Sequence, residues 1–68
     1  MKMKADQKKL ELAMARACMS TGDLVRMSAM PRPTVTKVIM GRNVRPATIG
    51  RIARALDVDV TDIMEVEE

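Results

Sequence analysis

Seven basic side chains, Arg26, Arg32, Lys37, Arg42, Arg45, Arg51 and Arg54, fall between Leu24 and Leu56, and no acid lies among them. Guanidinium and ammonium groups donate hydrogen bonds to phosphate, and arginine can also pair in two-pronged fashion with a guanine edge. A positive field spread over short amphipathic segments is the electrostatic footprint of a nucleic-acid binder. Charge is also sorted along the chain. Residues 1–56 hold twelve bases against three acids, whereas residues 57–68 hold six acids and no base. The acidic end is expected to point away from any polyanion.

The remaining residues argue against other chemistry. There is no His, and Cys18 is the one Cys, so neither a Cys–His zinc site nor an intrachain disulfide can form. Ser28 and Thr34 have no neighbour that would activate them as nucleophiles. No glycine loop cradles a phosphate. An enzyme is therefore not expected, and neither is a cofactor, a metal or a small-molecule ligand. The chain has no Phe, Tyr or Trp, which argues against a single-strand binder that stacks bases on flat rings. No apolar run approaches the roughly 18 residues that span a bilayer. The basic start Met1-Lys2-Met3-Lys4 is not followed by the apolar segment of a secretion signal. A cytoplasmic, reducing setting with no membrane partner is the expectation.

The elements that would position the bases are helical. Sixty-eight residues allow one small domain whose core is aliphatic and rich in its eight Met. Residues 1–5 read as a flexible basic arm, 6–64 as the folded domain and 65–68 as an acidic tail. Lys2, Lys4, Lys8 and Lys9 are taken as solvated rather than as a DNA-tracking arm. Asp6 caps a first helix running to about Cys18, with Leu10, Ala13, Met14 and Ala17 on one face. Ser20 caps a second, with Asp23 completing a capping box and Leu24, Val25 and Met27 apolar. Ser28-Ala29-Met30-Pro31 breaks the pattern. A third helix starts near Arg32, tolerates Pro33 in its first turn, turns Val35, Val38 and Ile39 inward and stops at Gly41. Arg42 to Arg45 form a loop. Pro46 opens a fourth helix that buries Ile49, Ile52, Ala53 and Leu56, and Asp59 and Asp62 frame a short fifth with Val60, Ile63 and Met64. Cys18, Met19, Met27 and Met30 are expected in the core. The expected fold is all-α: five short helices in a compact domain with a tight turn between the second and third.

This ordered set resembles the phage-repressor and Cro-like (XRE-type) helix-turn-helix family. The resemblance runs from Leu10 to Met64. It is carried by Ser20-Thr21-Gly22-Asp23-Leu24-Val25, by Ala29-Met30-Pro31-Arg32-Pro33-Thr34-Val35-Thr36-Lys37-Val38 and by Gly41. Pro46-Ala47-Thr48-Ile49, Ile52 to Val58 and Ile63-Met64 continue it. The Pro33 to Val38 run is also similar to LacI-type headpieces, but those place the motif at the extreme N-terminus, and here a full helix precedes it. The resemblance implies a lambda-repressor-like domain whose third helix enters the DNA major groove. It implies base contacts for Arg32, Pro33, Thr36 and Lys37, with Pro33 limited to a thymine methyl. It implies phosphate contacts for Thr21, Arg42, Asn43 and Arg45. Arg51 and Arg54 read as solvated surface.

The sequence departs from the family at four places. Ala29 stands where Gly is frequent, at a turn position that wants positive φ. Met14 and Ile39 stand where an Arg–Glu pair is frequent. Met40 replaces a common phosphate-contacting residue. Arg45 occupies a usual Ser or Thr cap.

The function these expectations combine into is sequence-specific binding of double-stranded DNA by a transcriptional regulator. Its form is a repressor acting as a homodimer, at least on DNA, at a palindromic operator, with Ile63, Met64 and Val66 as the candidate dimer surface. The alternative is a small helical protein-interaction module, or an antitoxin whose main role is to bind a protein.

Overall fold

Each helix starts and stops at residues whose side chains or backbone angles explain it. The structure is a computed structural model that describes residues 2–64. Asp6 begins α1 (Gln7–Arg16) by accepting a hydrogen bond from the Lys9 amide at 3.0 Å. α2 (Thr21–Ser28) opens on a reciprocal capping box. The Asp23 amide donates to Ser20 Oγ at 3.2 Å, and the Ser20 amide donates to Asp23 Oδ2 at 3.0 Å. α3 (Arg32–Ile39) and α4 (Pro46–Ala55) carry proline in their first turns, where a missing N–H leaves no bond unmade.

The Ser20 cap has a consequence for acid stability. The backbone amide of Ser20, then its hydroxyl, then the Arg26 charge hold the Asp23 carboxyl below its ordinary value. A carboxylate depressed in the folded state stabilises above its unfolded pKa of about 3.9 and loses that contribution as pH falls through the folded value. Melting followed by circular dichroism should therefore show Tm falling below about pH 4, with a smaller fall in Asp23→Asn. An unchanged acid limb in that variant would mean that the cap contributes nothing to acid stability.

Three helices end in the same way, with a left-handed residue after the last turn. These are Cys18 after α1 (φ 55), Gly41 after α3 (φ 73) and Asp57 after α4 (φ 57). In each case the next amide reaches back five residues at 3.0 Å: Met19 to Met14, Arg42 to Lys37 and Val58 to Ala53. α2 ends on Ala29 itself, at φ 56 and ψ 37. An L-residue there carries a steric cost of about 1 kcal/mol that glycine avoids. Ala29→Gly should therefore raise the stability of the domain by about 1 kcal/mol; a lower Tm for the glycine variant would refute this.

The core is one cluster of aliphatic side chains. Leu10, Leu24, Val35, Val38, Ile49, Ile52 and Ile63 are completely buried, as the inward faces expected from the sequence require. α2 packs on α3 and α4, and α1 packs on α3. The 3-10 turn Val60–Asp62 closes the bottom of the core against α1 and α4.

Several expectations change. The fifth helix is only this single 3-10 turn, so the described residues form four α-helices. Asp59 and Asp62 satisfy each other's amides within three residues, and Ile63 leaves helical geometry at φ −123. Cys18 is exposed, because α1 stops two residues short of it and the left-handed turn carries it outward. Met27 is 62% exposed. The inward positions of α2 are Leu24 and Ser28, four apart, and Ser28 satisfies its hydroxyl by donating to the Val25 carbonyl. Ile63 is wholly buried and so offers no free dimer surface, while Met64 is partly buried and its backbone bridges to Ala5; Val66 and the 65–68 tail lie outside the described residues. The segment read as a flexible arm is paired where it is described. Met3 exchanges two backbone hydrogen bonds of 2.7 Å with Val44, and Ala5 is buried beside Met64.

Candidate nucleic-acid interface

α3 has one inward and one outward face. Val35 and Val38 are buried, while Arg32, Pro33, Thr36, Lys37 and Met40 are all exposed. The four residues expected to reach bases therefore share an unobstructed surface on a helix about 12 Å long, close to the width of the major groove. The helix-turn-helix geometry comes from Ala29, whose left-handed backbone reverses the chain, and from Met30, which is buried and anchors the turn.

Thr21 begins α2, and Arg32 begins α3, and the fold brings the two helix starts together. Arg32 Nη2 would lie 3.6 Å from a β-carbon built on Gly22. The guanidinium thus leans back over Gly22 in the first turn of α2. No residue pattern signals this approach, because it depends on how α2 and α3 cross.

Arg42, Asn43 and Arg45 are exposed on the loop after α3, while Val44 between them is buried. Two ties fix this loop. Val44 pairs with Met3, and Gln7 Nε2 donates to the Met40 carbonyl at 2.6 Å, capping an otherwise free carbonyl at the end of α3. Sequence reasoning alone misses both Gln7 and Met3. The alternation Lys2-Met3-Lys4-Ala5 is a faint strand signal, too short to stand alone.

The electrostatics of this face are one-sided. Among the described residues, the one ion pair joins Arg26 to Asp23, and Arg32, Lys37, Arg42 and Arg45 have no carboxylate within reach. Neither α3 nor α4 has a side-chain cap or an acid in its first turn, and an arginine stands at each start. A cation near the positive end of a helix dipole costs roughly 0.3–1 kcal/mol. The domain therefore carries small stability costs at Arg32 and Arg45 that an approaching anion would reverse.

A family model, the Cro/C1-type HTH DNA-binding domain, matches residues 9–68. The chain belongs to this family. It is accordingly a DNA-binding helix-turn-helix protein of transcription regulation. Among solved structures, the Cro/C1-type chain is similar to the restriction-modification controller protein C.AhdI from Aeromonas hydrophila. The two are 28% identical with a TM-score of 0.72, covering 82% of this chain and 86% of that one. No curated protein matches the chain in sequence. No helix among the described residues is long and apolar enough to cross a membrane.

Proposed function

We propose that this chain is a sequence-specific repressor that binds double-stranded DNA as a homodimer, with α3 in the major groove. The observation that carries the reading is the outward face of α3: Arg32, Pro33, Thr36 and Lys37 exposed together, backed by buried Val35 and Val38. In this reading Arg32 and Lys37 donate to base edges, Thr36 reaches a base or a phosphate, and Pro33 touches a thymine methyl. Thr21 at the start of α2, and Arg42, Asn43 and Arg45 on the loop, hold phosphates on either side. One short helix reads only a few base pairs, so useful specificity calls for two copies on half-sites about one DNA turn apart. Such a dimer would repress by covering a promoter. The likeness to a restriction-modification controller supports a regulator of this kind and adds restriction-modification genes to the systems it would serve.

A second reading, a helical module that binds a protein, is favoured by the apolar patch on α1, where Leu12 is 52% exposed beside Met14, Ala15 and Met19. Salt separates the two. Binding to duplex DNA through several phosphates should weaken steeply, with a log–log slope of roughly −0.9 per contact. An affinity for duplex that barely responds to salt would favour the protein-binding module.

A further inference from the structure

The basic N-terminus is fixed beside the phosphate loop. The bridge between Met3 and Val44 is antiparallel and closed by hydrogen bonds in both directions. Met3 packs on the core and Ala5 is buried, so Lys2 and Lys4, one residue out of step, face solvent. In the register this bridge sets, Lys2 falls beside Arg45 and Lys4 beside Asn43. Like charges opposed across a ladder destabilise it. Lys2 and Lys4 also line an open cleft with Lys8, Asn43 and Gly41, directly below the end of α3. Asp6, the one acid on its wall among the described residues, has its carboxylate engaged on the Lys9 amide. The Gln7 bond to the Met40 carbonyl ties the cleft to α3.

We propose that the N-terminal segment is a fixed second grip on the DNA backbone, in which Lys2 and Lys4 bind phosphates adjoining those held by Arg42, Asn43 and Arg45. The inference rests on the duplex-DNA reading above and deepens it. Because the segment is already bridged to the loop through Met3 and Val44, its lysines are placed before binding. Their ordering then costs less entropy than that of a free tail.

The test is titration of the full chain with a short mixed-sequence duplex over a range of salt concentrations. Lys2→Gln/Lys4→Gln should bind more weakly, with a log–log slope shallower by roughly 0.9 for each phosphate no longer neutralised. Lys2→Arg/Lys4→Arg should keep the wild-type slope. Arg51→Gln/Arg54→Gln removes the same charge from a separate depression beside Met27 and Ala29, and should leave the slope unchanged. Equal losses in the two glutamine variants would reduce the effect to net charge and overturn the proposal. An unchanged slope in Lys2→Gln/Lys4→Gln, with wild type binding normally, would overturn it while leaving the duplex reading intact. A wild-type chain that does not bind duplex at all would overturn both.

Discussion

Leu24→Ala should lower the melting temperature by roughly 10 °C or more and abolish DNA binding with it. Leu24 is completely buried, on the helix that packs against both α3 and α4. Truncating a leucine in such a place costs about 2–5 kcal/mol, from reduced burial and from the cavity left behind. Domains of ordinary size have only about 5–15 kcal/mol in total, and one this small sits toward the lower end. The core has no aromatic ring to shift into the gap, so relaxation depends on neighbouring aliphatic side chains. Leu12→Ala is the matched comparison. Leu12 is 52% exposed, and its truncation should change stability by no more than about 0.5 kcal/mol. Thermal melting of the two variants side by side checks the result, and similar melting temperatures would contradict the packing described.

Arg32→Ala should cost about 1–3 kcal/mol in binding to a preferred sequence and relax the preference at one position, while the free domain stays folded. The second half follows from the structure. Among the described residues Arg32 has no carboxylate partner, and it stands at the positive end of α3, leaning over the positive end of α2. Removing it should leave the melting temperature unchanged or slightly raised. Weaker binding can then be assigned to the DNA interface rather than to unfolding. Arg45→Ala is the counterpart, expected to weaken binding to all sequences alike because a phosphate carries no sequence. The guanidinium's place over Gly22 in the first turn of α2 makes the contrast sharp. If Arg32→Ala also weakened all sequences alike, Arg32 would be a phosphate holder at the start of α2, and base reading would fall to Lys37 and Thr36.

Much of the fold is legible in the sequence because its causes are local. Ser20 and Asp23 are three residues apart, Pro31 and Pro33 mark a helix start, and the spacing of Ile49, Ile52, Ala53 and Leu56 is one face of one helix. The positive φ at Ala29 is what the family resemblance implies, since Gly is frequent at that position. What escapes is non-local or lacks a characteristic residue. Nothing near Met3 announces a partner at Val44. Cys18 and Asp57 end helices in a conformation that glycine would have advertised. Met27 suits a core by composition, but the stripe set by Leu24 falls on Ser28. For the interface, residue types and exposure on α3 can be read from the pattern alone. The approach of Arg32 to α2 and the pairing of the Lys2–Lys4 segment with the loop cannot, since both depend on how distant segments meet.

Selection of bound duplexes from a random pool by the wild-type chain is the most direct test of sequence-specific binding as a dimer. The pool should become enriched in a palindromic consensus with half-sites centred about one helical turn apart, a spacing set by two α3 helices in successive major grooves. A pool that stays unenriched after repeated selection would contradict sequence-specific recognition through α3.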